Sequence, residues 1–405
     1  MPKYMGAIDN TSPVQVSGWA VDVDNPDRPV TVTILLMSDG KVLHTRAVLA
    51  DEDRPDAAAA GLGSRYCGFT YYFSDIPPGT YDVQAYITTE VANISYGLAN
   101  SPQKVAVARK IRALVTDITD HCNLQCPFCT IDRGAKRPAQ YMETQTFEQI
   151  LKLLPITPDN CFFISCMHEP TLHKQLGPFV SMIPAHFKKK AFFTTNLAKR
   201  LDDKTIETLA HSNLLSLNIS LDTLDDELFR VMRKGGRLPI YMENLRRVVD
   251  AFAKAPNPPK LHYITQAWKT NIDEVPVLVE RAFNEFNAFD HEVRYTINLE
   301  HFTDEFREEH LLPYDEWAAL AERLKAFPRC RVVLPPENYL SVFEDSVDTA
   351  VESTRERTFE PARPIYEPMH IRVKADGTTR ILGHEKHFMV NINSLRDPLG
   401  FFMAL

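Results

Sequence analysis

The sequence predicts a multidomain chain in which a β unit is followed by an α/β unit and a small α+β extension. Residues 1–107 alternate apolar and polar side chains at period two between turn signals. From residue 112 onward, short β-branched or aromatic runs alternate with helical stripes. Beyond residue 331 a hairpin signal stands in less regular surroundings. At 405 residues the chain is long for one domain. The expected units are a β-sandwich over residues 1–107, an α/β unit over 108–330 and the extension over 331–405.

Taken in order, Val14–Val21 alternates at period two, and Val30–Met37 is a β-branched run ending at the hairpin signal Asp39-Gly40. Lys41–Leu43 starts the return strand, and Gly68–Phe73 is aromatic-rich. Pro77-Pro78-Gly79 is a turn before the alternating stretch Tyr81–Ile87. Several short strands with such turns suggest a β-sandwich. Its pattern of Gly18-Trp19-Ala20-Val21-Asp22, Arg54-Pro55-Asp56 and Gly68-Phe69 resembles β-sandwich modules of bacterial glycan-related enzymes. A docking or stabilising role fits this module as well as a ligand-binding one.

Ser101-Pro102-Gln103 reads as the linker. Strands follow at Arg112–Thr116, Cys161–Ser165, Lys190–Thr195, Leu214–Ser220, Leu261–Thr265 and Val293–Ile297. Thr146 and Gln149 form a capping box before the stripe Phe147, Ile150, Leu151 and Leu154. Leu245–Phe252 and Val275–Phe286 are further helical patterns. Six βα units point to a parallel sheet with right-handed crossovers.

Composition narrows the functional classes. Hydrophobic content of 44% with 24% charged residues is ordinary for a globular protein. A net charge of −8 argues against a general nucleic-acid or anionic-membrane surface. The first residues lack the apolar core of a signal peptide, and no apolar run reaches the ~18–20 residues of a membrane span. A cytoplasmic location is therefore expected, where thiols stay reduced.

Three of the seven cysteines fall within His121-Cys122-Asn123-Leu124-Gln125-Cys126-Pro127-Phe128-Cys129. Thiolates are soft ligands, and such spacing is typical of zinc or iron–sulfur sites. Structural zinc takes four protein ligands, and no fourth is evident beside this run, since His121 is adjacent to Cys122. A disulfide framework would use an even set in a Cys-dense secreted domain. Buried structural thiols would not need this spacing. Three ligands suit a [4Fe–4S] cluster with one iron left open.

The run resembles the signature of the radical S-adenosylmethionine (radical SAM) family, C-x3-C-x2-C with an aromatic residue, here Phe128, before the last Cys. The resemblance spans roughly residues 110–300. It implies a partial (β/α)6 barrel with its chemistry at the C-terminal ends of the strands. It implies that Cys122, Cys126 and Cys129 hold a [4Fe–4S] cluster whose open iron is chelated by SAM. Reductive cleavage of SAM then yields a 5′-deoxyadenosyl radical that abstracts a hydrogen atom from substrate. An electron donor such as flavodoxin or ferredoxin is implied as a partner.

The same resemblance assigns further residues. Cys166-Met167-His168-Glu169-Pro170 is similar to the family's Gly-Gly-Glu-Pro motif, with His168 replacing a glycine, and implies that Glu169 binds the SAM amino group. Thr194-Thr195-Asn196 resembles a Thr-Asn-Gly turn, with Leu197 in place of glycine, so Thr194 and Asn196 are expected to line the pocket. Ser220-Leu221-Asp222 matches a Ser-x-Asp pattern; Ser220 is expected at SAM, and Asp222 either there or as a helix N-cap. Arg233 is expected to pair with the SAM carboxylate, and Ile264 to pack the adenine. Cys166 and Cys330 are candidates for donating a hydrogen atom to a substrate radical, with buried structural roles as the alternative.

Met369–Leu382 reads as a hairpin over Asp376-Gly377 and, with Asn391–Leu395, resembles the SPASM/twitch extension. That extension carries auxiliary-cluster cysteines, whereas this chain has none after Cys330. His370, His384 and His387 are expected to act as hydrogen-bonding side chains rather than ligands. Three functions remain open at this point. One is radical chemistry on a small molecule, carbohydrate or nucleotide sugar. Another is modification of a peptide, and the third is a non-enzymatic iron–sulfur sensor or scaffold.

Overall fold

The computed structural model describes residues 4–59, 61, 64–88, 95–108, 111–129, 138–165, 167–296, 302–333, 369–382 and 388–404. The N-terminal unit holds two antiparallel sheets. One contains β1 (Tyr4–Ser12), β2 (Gln15–Asp22), β5 (Glu52–Asp53) and β6 (Tyr66–Tyr72), in the order β1-β2-β6-β5. The other contains β3 (Val30–Ser38), β4 (Lys41–Ala50), β7 (Gly79–Thr88) and β8 (Ser95–Gly97), with β9 (Gln103–Val107) pairing on β7. Alternation drives the arrangement: Val32, Ile34 and Leu36 from one sheet and Ile8, Val16 and Phe69 from the other share a single core. The Asp39-Gly40 turn forms as expected, both residues adopting the left-handed region that a tight hairpin requires (φ 49° and 72°). Strand β1 was not legible in the periodicity, and the aromatic run ends at Tyr72, with Phe73–Asp75 forming a 3₁₀ turn.

The second unit is built on a parallel run of β10 (Ile111–Thr116), β11 (Phe162–Ser165), β12 (Ala191–Thr195), β13 (Ser216–Ser220), β14 (Lys260–Ala267), β15 (Asp290–Tyr295) and β16 (Cys330–Val333). Among the described residues this run has seven strands where the sequence predicts six, β16 being the addition. On the other edge, β17 (Met369–Val373) pairs parallel with β10, and β18 (Thr378–Leu382) and β19 (Phe388–Asn391) continue antiparallel. The C-terminal hairpin thus extends the same ten-stranded sheet. His384 and His387 lie outside the described residues.

Helices α2 (Thr144–Leu151), α3 (Leu176–Ser181), α4 (Asp203–Ala210), α5 (Asp226–Met232), α6 (Leu238–Lys254) and α7 (Val275–Asn284) follow α1 (Pro55–Ala59) in chain order. One face of the parallel sheet packs against them: Phe162, Ile164, Phe193, Leu217, Ile219, Leu261 and Tyr263 enter one core with Phe147, Phe179, Leu245 and Val248. The opposite face, helix-free among the described residues, carries Thr194, Asn218, Ser220, His262, Ile264 and Glu292 by simple alternation. The expected capping box on α2 does not form. Its N-cap is Glu143, without a side-chain cap bond, and Thr146 is instead buried one turn in, accepting a hydrogen bond from Asn393 Nδ2 at 3.0 Å. Among the described residues no helix is long and apolar enough to cross a membrane.

Candidate active site

The cysteine loop leaves the C-terminal end of β10, and two neighbouring segments pin it by backbone hydrogen bonds. Glu169 N donates to His121 O at 3.1 Å, and Gln125 N donates to Lys234 O at 2.8 Å. The Lys234-Gly235-Gly236 turn needs its glycines: Gly235 has φ +94°, and a Cβ on Gly236 would sit 2.9 Å from Arg233 O. Cys129 N closes a short turn onto Cys126 O at 3.1 Å.

Two donors reach the thiols. Asn196 Nδ2 lies 3.5 Å from Cys122 Sγ and 3.2 Å from Asn123 Oδ1. Arg233 Nη1 lies 3.8 Å from Cys126 Sγ. Burial pushes the Cys126 thiol up; the Arg233 charge opposes this, and the nearby Cys129 and Cys122 sulfurs add to it. The side chain of Phe128 is held between Arg233, 5.1 Å from the ring centroid, and Trp268, edge-on at 5.0 Å and 88°.

Glu169 is the hub of the loop after β11. It is 2% exposed. Its Oε1 accepts from Thr171 N (3.1 Å), Thr171 Oγ1 (2.6 Å) and Thr195 Oγ1 (2.7 Å), and its Oε2 accepts from Asn196 N (2.7 Å). Burial raises its pKa against these hydrogen bonds. Within the protein the carboxylate fixes the Thr195-Asn196 turn. Leu197, standing where a glycine is favoured, takes φ +49° and is held there by complete burial.

Asp222 does not cap a helix. Asp225 caps α5, accepting from Leu228 N at 2.8 Å. Asp222 Oδ1 accepts from Gln266 N at 2.8 Å, tying β13 to β14, and its other oxygen pairs with Arg233. Arg233 has Asp222 and Cys126 as its partners within the protein; burial lowers its pKa, but these partners raise it further. Ser220 ends β13, with its carbonyl accepting from Tyr241 OH at 2.9 Å, and Ile264 pairs with it across the ladder, buried on the helix-free face. Thr194, half-buried, pairs with Asn218.

The two candidate hydrogen-atom donors fare differently. Cys330 begins β16, at the N-terminal end of its strand, and packs with Val293, Trp317 and Leu324 on the helix-covered face, where burial pushes its thiol up to about 11. It does not face the cysteine loop, so the hydrogen-donor reading is corrected to a packing one. Cys166 lies outside the described residues.

Sequence reasoning missed a buried polar group on the helix-free face. Asp117, just after β10, stands 3.4 Å from His168 Nδ1 and 3.3 Å from Arg372 Nη2, and accepts from Met167 N at 3.2 Å. Burial would raise the Asp117 carboxyl, but His168 and Arg372 hold it below the usual range. The substitution of histidine for glycine at position 168 was the available signal. Arg372 lies 255 residues away and only the fold brings it there.

The thiol set suits an iron–sulfur cluster. Among the described residues no three His, Cys, Asp or Glu side chains converge as they would on a single metal ion. Cluster thiolates need not converge, since each binds a different iron, and the N–H groups of Asn196 and Arg233 directed at sulfur suit a cluster's negative charge.

A parallel α/β sheet thus presents three cysteines on one loop at the C-terminal end of its strand β10. Residues 116–265 match the radical SAM superfamily. The cofactors of that family are a [4Fe–4S] cluster and SAM. A GTP 3′,8-cyclase from Hydrogenovibrio crunogenus is 27% identical over 177 residues, covering 42% of this chain and 51% of that protein. The chain thus spans about half the length of the curated relatives it matches. The structure of Streptococcus suis SuiB bound to S-adenosylmethionine is similar with a TM-score of 0.50 at 14% identity, covering 72% of this chain and 65% of SuiB. SuiB bound to the precursor peptide SuiA gives a TM-score of 0.50 at 15% identity, covering 72% and 64%.

Proposed function

We propose that this chain is a radical SAM enzyme that takes a hydrogen atom from a small polar substrate, of the carbohydrate, nucleotide or nucleotide-sugar class, held on the helix-free face of the parallel sheet. The observation that carries this reading is the pinning of Cys122 and Cys126 by Asn196 and Arg233 beside the strand ends. Bound there, the cluster and SAM supply a 5′-deoxyadenosyl radical, which is the hard part of the chemistry.

The chain's own residues prepare the place. Glu169 orders the Thr195-Asn196 turn, Asn196 orients Cys122, and the Arg233–Asp222 pair sets the charge beside Cys126. Phe128, Trp268 and Ile264 exclude water from the same end of the sheet. Below them, beside the Phe163–Phe192 ring pair, much of the face is hydrogen-bonding: Ser216 donates to Asn218 at 2.9 Å, His262 pairs with Asp290, and Arg331 pairs with Glu292 at 2.9 Å. Such a lining suits a substrate rich in hydroxyl and amide groups. The nucleotide named for the curated relatives supports the same class.

In this reading residues 1–107, 108–330 and 331–405 are an accessory β-sandwich, a partial barrel and a twitch-like extension without its own cluster. The chain works in the reducing cytoplasm with a flavodoxin- or ferredoxin-type electron donor. The test is formation of 5′-deoxyadenosine from SAM by the anaerobically reconstituted, reduced protein. Stimulation of that product by candidate nucleotide sugars then identifies the substrate, and stimulation by peptides alone would refute the small-molecule assignment.

A further inference from the structure

A second concavity lies away from the cysteine loop, where the N-terminal unit meets the N-terminal ends of the parallel strands. Lys190 builds the junction. It is 4% exposed, its Nζ donates to Ser74 Oγ of the N-terminal unit at 2.9 Å, and it pairs with Asp159 at 3.4 Å. The 3₁₀ turn Phe73–Asp75 rests against a second one, Leu154–Ile156, and Tyr72 packs against the core of the α/β unit. Between these walls opens a cleft of about 820 Å³. That size accommodates a whole small organic molecule.

The cleft's charge is opposite to that of the chain, which carries a net −8. Lys188, Lys189, Lys190 and Lys260 line it, against Asp75 and Asp159. Both carboxylates are already compensated, Asp75 by Arg46 and Asp159 by Lys190. Lys188 donates to the Asn257 carbonyl, and Lys260 stacks over Phe289 at 3.7 Å with the Asp290 carboxylate in its neighbourhood; among the described residues no salt bridge ties Lys188, Lys189 or Lys260 to a carboxylate. Three lysines from two chain segments thus line one space. A carboxylate would leave most of that charge unmatched, whereas a phosphate monoester carries about −1.5 to −2 near neutral pH and accepts from several directions. Tyr71, Tyr72 and Phe187 offer ring surfaces for an organic body beside it.

We propose that this junction is a binding site for a phosphorylated small molecule with a ring-bearing body, such as a sugar phosphate or a nucleotide. The cleft is bounded by Asp159, Lys190, Leu215 and Lys260, which precede or begin β11, β12, β13 and β14. The cysteine loop follows the other end of the run. The ligand there is therefore an effector or anchor that bridges the two units, and it is not the molecule that meets the radical.

Titration calorimetry on the full chain tests this with glucose 6-phosphate, AMP, glucose, adenosine and inorganic phosphate. The expected result is saturable binding of glucose 6-phosphate or AMP, with affinity at least about tenfold above its dephosphorylated counterpart. The stronger of the two names the source of the phosphate. Lys189→Glu with Lys260→Glu, both exposed positions, should weaken binding by at least about tenfold, and Lys41→Glu on the distant hairpin should not. Thermal melting of the variants checks that they fold. Failure of both phosphorylated probes to bind, equal affinity for the dephosphorylated forms, or unchanged affinity in the folded double variant would overturn the proposal. So would binding of a single-stranded oligonucleotide without binding of AMP, which would make the lysines a nucleic-acid surface. Inorganic phosphate binding as tightly as either ester would remove the organic body from it.

Discussion

Arg233 stands 3.8 Å from Cys126 Sγ through one nitrogen and pairs with the fully buried carboxylate of Asp222 through another. The pair is internal, so its partners cannot be separated without leaving a charge in a low-dielectric place. Arg233→Met should cost about 3–5 kcal/mol of stability, seen as a lower denaturant midpoint at constant slope. The double variant with Asp222→Leu should recover part of the loss. Equal stability of Arg233→Met and the unaltered chain would show that the pair is not buried as described.

Glu169 gives a prediction that separates organisation from direct binding. In Glu169→Gln an amide N–H₂ must face donors from Thr171, Thr195 or Asn196. We expect destabilisation by about 1.5–3 kcal/mol together with weaker SAM binding, because the Asn196 turn loosens. A variant with unchanged melting but lost SAM affinity would restore the direct-contact role.

The cysteines divide sharply. Alanine at Cys122, Cys126 or Cys129 should abolish the iron–sulfur absorbance, whereas Cys330→Ala should retain it, along with SAM cleavage, at a modest cost in stability. Iron analysis should give about four per chain, since no cysteine follows Cys330. About eight iron atoms per chain would contradict a single cluster.

His291 is one source of acid sensitivity, beside His173, His310 and His370, whose pKa values burial also lowers. The ring is completely buried, one nitrogen bonds Thr265 Oγ1 at 2.8 Å, and burial lowers its pKa to about 3. The unfolded chain takes up this proton near pH 6.5, the folded chain only near 3. His291 therefore leaves stability intact above about pH 6.5 and erodes it by roughly 1.4 kcal/mol per unit as pH falls from there toward about 3. His291→Leu should flatten the difference in melting temperature between pH 7 and pH 5. An unaltered difference would place the acid sensitivity elsewhere.

The legible part of the fold was its periodic part. Six of the seven parallel strands and the Asp39-Gly40 hairpin announce themselves through β-branched runs and turn residues, and the cysteine loop through spacing. What escaped depends on tertiary partners. Thr146 reads as a helix cap, yet Asn393 draws it into the interior. Asp222 carries a capping propensity that Arg233 overrides. The Asp117, His168 and Arg372 group joins three segments that no local pattern links. Cys330 seemed available because burial and facing cannot be read from a four-residue strand.

The most direct measurement is 5′-deoxyadenosine produced from SAM by the full chain, reconstituted without oxygen and reduced by dithionite. The account predicts product from the unaltered protein, none from Cys126→Ala, and retained product from Cys330→Ala. A cluster-loaded, SAM-binding protein that yields no 5′-deoxyadenosine under reduction would contradict it and favour an iron–sulfur sensor or scaffold.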